Sequence, residues 1–138
     1  MERLCELVKH YGPFIGRIML ALIFLISGLS KIGDFSKVAG YMASTGIPLA
    51  EVALVLSILI EVGGSLMLIL GWRVRWAAAL IFMWLIPVTL MFHNFWAADA
   101  AQYQNQFNHF MKNVTIMGAM IYVMAFGAGP LSLDRPKG

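Results

Sequence analysis

Apolar residues in this chain are concentrated in four long runs that are separated by shorter polar segments. The runs cover approximately residues 13–31, 49–70, 74–92 and 110–127. Each run comes close to the roughly 20 residues that a helix needs to cross a bilayer core of about 30 Å. The pattern predicts an all-α membrane protein, a bundle of four transmembrane helices that forms a single domain over residues 1–138.

The segments between the runs contain turn-forming and polar residues. Residues 35–48 are mixed in character and predict a loop with a short helical piece at 38–42. Residues 71–75 read Gly-Trp-Arg-Val-Arg and predict a tight basic turn. Residues 93–109 are rich in amides and aromatic rings and predict a polar connection before the last span. The loops are therefore expected to be short, with no room for a separate soluble module.

The lysines and arginines predict an orientation, because cytoplasmic loops carry an excess of them. With four spans, the N-terminus, the second loop and the C-terminus lie on one side of the membrane. The positive residues on that side are Arg3, Lys9, Arg17, Arg73, Arg75, Arg135 and Lys137. Those on the other side are Lys31, Lys37 and Lys112. Both termini are therefore predicted to be cytoplasmic, in a multi-pass protein whose main partner is the lipid bilayer.

Composition narrows the classes of function. The chain is 60% hydrophobic and 12% charged, whereas soluble domains are about 25% charged. It contains no basic run or zinc-finger spacing, so nucleic acid is not an expected partner. Cys5 is the only cysteine, which excludes an internal disulfide and a C-x-x-C redox pair. Electron transfer would therefore need a bound cofactor or a partner protein.

Glu61 is the most informative polar residue, since it lies near the middle of the second apolar run. A carboxylate at that depth costs about 3 kcal/mol or more, and such residues face the interior of a bundle. Ser57 and Ser65 lie four residues to either side, on the same helical face. Two interpretations stay open: a carboxyl that binds a ligand or handles protons, or a structural carboxyl that is neutral or paired with a cation.

Arg17 and Lys31 lie on one face of the first predicted span, near its two ends. One interpretation has both cations extending to opposite membrane interfaces. The other has one of them approaching Glu61 from one side of the membrane. A pair between Arg17 and Glu61 is harder to form, because Arg17 starts deep on the cytoplasmic side.

A polar stripe with helical spacing leads into the fourth run. Its members are Gln102, Asn105, Gln106, His109, Lys112 and Asn113. Because polar groups facing lipid are costly, the stripe should face protein or a wet cavity. His93, at the end of the third span, reaches the same level. The sequence thus allows two interpretations: a polar plug that seals this end of the bundle, or a pocket that also includes Glu61.

A metal site is not expected. His93 and His109 are separated by a connection of sixteen residues, and His10 is predicted on the opposite side of the membrane. There is no E-x-x-H pair of the kind that holds a di-iron centre in helical bundles.

Six segments, in order, resemble one known family. They are F-L-I-S-G-L-S-K at Phe24–Lys31, Y-M-A-S-T-G-I-P at Tyr41–Pro48, I-E-V-G-G with L-I-L-G-W-R-V-R between 60 and 75, H-N-F-W at His93–Trp96, N-H-F-M-K-N-V-T-I-M-G-A at Asn108–Ala119 and G-P-L-S-L-D-R at 129–135. They are spread over residues 24–135, so that the resemblance extends over nearly the whole chain, and they resemble the DoxX family, in particular its short bacterial inner-membrane members. The resemblance implies a four-helix membrane bundle. It also implies that some relatives are subunits of quinone-reducing complexes or associate with oxidative-stress enzymes. The family positions that map here are Lys31, Glu61, His93, Lys112 and Asn113.

Three hypotheses for function follow. The first is a quinone-linked membrane component that acts with a soluble oxidoreductase, with Glu61, His93 and Lys112 as catalytic candidates and quinone as cofactor. Glu61 would carry protons, and His93 and Lys112 would face the quinone carbonyls. The second is a non-enzymatic anchor or scaffold for a soluble enzyme. The third is a small-molecule or lipid transporter, which would need a homo-oligomer. The expected ligand-binding set is Lys31, Glu61, His93, His109, Lys112 and Asn113.

Overall fold

The computed structural model describes residues 1–134, which contain helices and no strand. The elements are α1 (Glu2–Gly33), α2 (Phe35–Ser44), α3 (Ala50–Ile58), a π-helical turn (Leu59–Gly63), α4 (Gly64–Leu70), α5 (Val74–Phe92), a 3₁₀ turn (Phe95–Ala97) and α6 (Ala100–Phe126). The all-α prediction is confirmed. Arg135 and Lys137, two of the cations used to predict orientation, lie outside the described residues.

Three helical segments are long and apolar enough to cross a membrane within residues 1–134: Glu2–Gly33, Ala50–Leu70 and Val74–Ala97. They correspond to the first three predicted spans. Helix α6 is 27 residues long, about 40 Å, but it does not reach the same apolar content. The reason is its polar first half, in which Lys112 and Asn113 follow several amides.

Helix α1 is longer than the first apolar run, since it begins at Glu2 and contains 32 residues. That corresponds to about 48 Å, well beyond the roughly 30 Å of a hydrocarbon core. Its first ten residues are exposed, so this part of α1 extends past the rest of the bundle. Pro13 is accommodated within the helix.

The short helical piece predicted at 38–42 is confirmed and lies within the longer helix α2, so the loop predicted for the rest of residues 35–48 is wrong over most of its length. Ala39 and Met42 lie three residues apart on one face of α2 and are buried against Leu54 of α3. Burial of this face stabilises a helix that glycine and serine content alone would not predict. The polar connection over 93–109 is also shorter than expected: α6 starts at Ala100, where the Asp99 side chain accepts the main-chain N–H of Gln102.

The core lies between α1, α4, α5 and α6. Its buried members include Ala21, Phe24, Leu68, Val74, Ala77, Ala78, Ile81, Leu85 and Met120. Small residues let the helices approach closely, as expected where lipid removes the usual hydrophobic drive for helix association. A Cβ at Gly64, for example, would lie 2.9 Å from Ile81 Cδ1. Many large apolar side chains point outward instead, which suits a surface in contact with lipid.

The last described residues are fastened to one end of the bundle. The Arg17 guanidinium is buried and donates to the carbonyl oxygens of Leu68 at 2.9 Å and Leu131 at 2.8 Å. The Asp134 carboxylate accepts the main-chain N–H groups of Arg73 at 2.7 Å and Val74 at 2.9 Å, at the start of α5. Residues 131–134 therefore lie beside the turn between α4 and α5.

Candidate functional site

Glu61 lies in the π-helical turn that joins α3 to α4, and it is 6% exposed. A π-turn inserts an extra residue into a helix and is frequent at functional sites. Ser65 stabilises the turn locally, because its hydroxyl donates to the Glu61 main-chain carbonyl oxygen and to that of Ala21 on α1. The carboxyl is thus held at a fixed place against α1.

The cation that approaches Glu61 is Lys31. Its Nζ lies 2.5 Å from Glu61 Oε1 and 3.3 Å from Ser57 Oγ, to which it also donates. Glu61 is thus paired with a cation, as one of the two interpretations expected, and a carboxyl held in this way can also bind a ligand or handle protons. Neither cation follows the interpretation of side chains that extend to the membrane interfaces, since Lys31 turns to Glu61 and Arg17 binds main-chain carbonyls.

The pair forms because α1 runs very close to the π-turn. A Cβ at Gly28 would lie 2.7 Å from Val62 Cγ2 and 3.3 Å from Glu61 Cβ. Only a residue without a side chain fits there, and Lys31 follows three residues later on α1. The sequence contains the glycine, but its role depends on which helix packs against it.

His93 and the polar stripe meet at the end of α5. His93 Nδ1 lies 3.0 Å from Gln106 Oε1, and the His93 and His109 rings stack with centroids 5.1 Å apart. Lys112 Nζ lies 3.1 Å from His109 Nδ1. Burial, the positive charge of Lys112 and then the proximity of His93 lower the pKa of His109 below its ordinary value of 6.5. His109 therefore favours its neutral form near neutral pH.

Asn113 is buried one turn further along α6. Its Nδ2 donates to the hydroxyl of Thr89 on α5 at 3.0 Å, and both side chains are almost fully covered. This bond satisfies two polar groups inside the helix pair α5–α6. Thr89 was not among the predicted residues, although a threonine at this depth is a usual hydrogen-bond partner between membrane helices.

One cavity of about 460 Å³ brings most of the predicted site residues together. Lys31, Glu61, His93, Lys112 and Asn113 all line it. His109 does not line it, but contacts two residues that do, His93 through the stacked rings and Lys112 through its Nδ1 atom.

The remaining wall of the cavity is mainly apolar or aromatic and comes from several helices. It includes Phe24 of α1, Tyr41 and Met42 of α2, Trp84, Leu85 and Val88 of α5, and Ile116 of α6. The sequence predicted a short helical piece over 38–42 but not its contribution to the site. The spacing of Val38, Tyr41 and Met42 on one helical face is the signal that could have indicated it.

Glu61 retains one free acceptor in this setting. Within residues 1–134, Oε2 of Glu61 is the buried side-chain polar atom that has no hydrogen-bond partner. A carboxylate oxygen accepts hydrogen bonds and cannot donate them. In the same part of the chain, no three His, Cys, Asp or Glu side chains come together as metal ligands would.

Comparison with known proteins identifies the family. The sequence model of the DoxX family, described simply as DoxX, matches residues 12–94. The chain belongs to the DoxX family. The matched segment includes Lys31, Glu61 and His93, whereas His109, Lys112 and Asn113 of this DoxX protein lie beyond it.

Two bacterial relatives extend the similarity to the rest of the DoxX protein. Inner membrane protein YphA of Escherichia coli is 32% identical over 121 residues, which cover 88% of this chain and 86% of the relative. Inner membrane protein YqjF of the same organism is 30% identical over 128 residues, 93% of each chain. These names state a location and no reaction. The DoxX chain is a small multi-pass protein of the bacterial inner membrane.

A eukaryotic protein is more distantly similar. The ER-derived vesicles protein ERV29 of Saccharomyces cerevisiae is 24% identical over 129 residues, 94% of this DoxX chain but 34% of the yeast protein. No solved structure matches the chain.

Proposed function

We propose that this protein binds a quinone in the cavity beside Glu61 and acts as a redox-associated component of the inner membrane together with a soluble oxidoreductase. The observation that carries the proposal is the combination of an apolar cavity of about 460 Å³ with a buried ion pair on its wall. Small-molecule sites typically have volumes of about 300–1,000 Å³, apolar walls and a few fixed polar groups. A quinone has the matching chemistry: an apolar ring and tail with two oxygens.

The roles of the polar residues follow from their contacts. Glu61 and Lys31 exchange a proton with the quinone oxygens, as a carboxyl and an amine held within hydrogen-bond reach can do. Lys112 donates to a carbonyl oxygen from the other helix, α6. Since His93 Nδ1 is engaged with Gln106, its Nε2 is the ring atom that remains for a ligand.

The proposal also includes the path of the chain through the membrane. The chain is one domain of four spans, in which α6 is the fourth and both termini are cytoplasmic. The contacts of Asp134 and Arg17 support a crossing by α6. Through them, residues 131–134 lie next to the turn between α4 and α5, whereas His93 and Gln106 meet at the other end of α5. Lys112 and Asn113 are the polar residues of α6 that line the cavity.

The proposal includes a partner protein because the described residues lack groups that would carry electrons. Residues 1–134 contain no cluster of metal-ligating side chains, and Cys5 is the single, exposed cysteine. A partner must therefore deliver electrons to the quinone or take them from it. A pure anchor and a transporter are the rival functions, and neither requires a bound quinone.

The experiment is to extract the protein from membranes in native-lipid nanodiscs and measure quinone by mass spectrometry. We expect quinone to be enriched per lipid relative to discs that contain an unrelated membrane protein, and the enrichment to fall several-fold in Glu61→Gln. The control is Glu51→Gln, which changes an exposed glutamate of α3 outside the cavity. No enrichment, together with no binding of added quinone, would contradict the proposal and favour the anchor or the transporter.

A further inference from the structure

We propose that the cavity prefers the reduced, hydroxyl-bearing form of its ligand, the quinol, and that the Oε2 atom of Glu61 is the selecting group. This inference rests on the proposed function and adds a redox state to it. It concerns binding alone and involves no electron transfer within the chain.

The first step is that the two oxygen atoms of the Glu61 carboxylate have different surroundings. Oε1 is occupied by Lys31 Nζ at 2.5 Å, while Oε2 has no partner within residues 1–134 although it is buried. A buried polar atom left without a partner costs roughly 1–3 kcal/mol, and more when the group is charged. A ligand that supplies a donor to Oε2 removes this penalty.

The second step is the chemistry of the two ligand forms. A quinone presents two carbonyl oxygens, which only accept hydrogen bonds, so a carbonyl beside Oε2 would place two acceptors against each other. A quinol presents two hydroxyl groups, each of which donates one hydrogen bond. Hydrogen bonds to a charged acceptor are about twice as strong as neutral ones.

The third step is the rigidity of the acceptor. Lys31, which also donates to Ser57, holds the carboxyl from one side, Ser65 fixes the main chain of the π-turn, and Gly28 brings α1 into contact with Val62. The carboxyl is therefore preorganised for the donor rather than free to turn toward another partner. Preorganised acceptors in a dry site discriminate strongly between ligands that do and do not donate.

The surroundings support the same choice. Phe24, Trp84, Leu85 and Ile116 line the cavity with aromatic and aliphatic groups that accept a ring but offer few alternative donors or acceptors. Lys31 and Lys112 are the cations on the wall. Lys31 donates to Glu61, and the donors that Lys112 keeps beside its contact with His109 can serve either ligand form, because a quinol hydroxyl oxygen also accepts hydrogen bonds. The unpartnered acceptor at Glu61 is thus the strongest difference that the two ligand forms can sense.

The test uses the full chain in nanodiscs of one synthetic lipid and a benzoquinone that carries a ten-carbon tail. Three probes are compared under argon: the quinone, its quinol, and the quinol dimethyl ether, which keeps the reduced ring and lacks both O–H groups. Binding is measured as the excess of each probe over matched empty discs at a series of concentrations. We expect the quinol to bind about tenfold or more tightly than either of the other two.

Variants assign the preference to the carboxylate. Glu61→Gln should reduce the ratio of quinol to quinone affinity to about one, because an amide offers both a donor and an acceptor. Glu51→Gln should leave the ratio unchanged. If Glu61→Gln does not fold, the comparison of quinol with its dimethyl ether on the unaltered protein still decides the matter.

Each outcome has a separate meaning. Equal affinity for the three probes would overturn the quinol preference while leaving quinone binding intact. A preference that survives in folded Glu61→Gln would overturn the role of Oε2. Binding of none of the probes would overturn the proposed function itself.

Discussion

The three oxygen atoms of Glu61 differ in their hydrogen-bond partners. Oε1 accepts from Lys31, the main-chain oxygen accepts from Ser65, and Oε2 has no partner in residues 1–134. Because the side chain is 8% exposed, water does little to stabilise its charge. The ion pair with Lys31, whose side chain is 26% exposed, therefore contributes more to the stability of the folded protein than a pair between two surface side chains would.

Replacing Lys31 tests this dependence. We expect Lys31→Met to lower the unfolding free energy in mixed detergent micelles by about 2–3 kcal/mol, because it leaves a buried carboxylate without its cation. The double variant Lys31→Met/Glu61→Gln should recover part of the loss, since the buried charge is then also removed. Lys37→Met, at an exposed lysine of α2, is the matched control. A loss in Lys31→Met no larger than in Lys37→Met would contradict the structural importance of the pair.

At the scale of residues, the sequence predicts which residues belong to the site better than it predicts which of them contact each other. Glu61 could be identified from the sequence, because a carboxyl inside an apolar run is costly and is therefore rarely found there without a structural or functional role. Its pairing with Lys31 was one of the two interpretations that the sequence left open for the cations of α1, and the choice between them depends on the packing of α1 on the π-turn, since Lys31 lies 30 residues away. Arg17 was harder still, because its acceptors are main-chain oxygens, which have no sequence signature.

Among the elements, the contact between α1 and the π-turn matters most for the site. It depends on Gly28, whose missing side chain leaves room for Val62. Val62 is β-branched and stiff, so it has little freedom to move aside. The distance between α1 and the second span is thus set by one glycine.

Two glycines of α1 provide a matched pair of variants. Gly28→Ala should destabilise the protein by about 1–3 kcal/mol, because the added methyl group would overlap Val62 Cγ2. Gly16→Ala should be neutral or stabilising by up to about 1 kcal/mol, since no described heavy atom beyond its chain neighbours and its own helix backbone lies within 4 Å of the added carbon, and alanine favours a helix. Thermal unfolding in one detergent compares the two. Equal effects of both substitutions would contradict the close contact at Gly28.

Apolar runs predicted three membrane-spanning segments well and the bounds of α2 and α6 less well. Only residues 38–42 of α2 were predicted to be helical, because its burial against α3 involves a small residue and a methionine rather than a long apolar run. The start of α6 was placed late for the opposite reason: Ala100 begins a helix whose first turns are polar. Both helices line or border the cavity, so the errors fell on the part of the fold that shapes the site.

For the whole molecule, the proposed arrangement of four spans places Cys5 and residue 133 on the cytoplasmic side and residue 101 on the other. Cys5 is exposed and is the single cysteine, so it can serve as a native reporter. We expect a membrane-impermeant maleimide to label Cys5 in inverted vesicles and not in intact spheroplasts.

Two further variants locate the ends of α6. Cys5→Ser/Leu133→Cys should be labelled from the same side as Cys5, and Cys5→Ser/Ala101→Cys from the opposite side; both introduced positions are exposed. Labelling of positions 101 and 133 from one side would mean that α6 does not cross the membrane, and the proposed topology would then be wrong.

The buried guanidinium of Arg17 also bears on the order in which the protein is made. Two of its three carbonyl partners follow it in the chain, by 51 and 114 residues, and the third, Pro13, precedes it by four. During synthesis, α1 therefore enters the membrane before Arg17 can donate to Leu131, and this bond forms only after residue 131 has been made. Closure of the bundle at this end thus waits for residue 131, and a chain interrupted before it would leave one acceptor of the buried arginine missing.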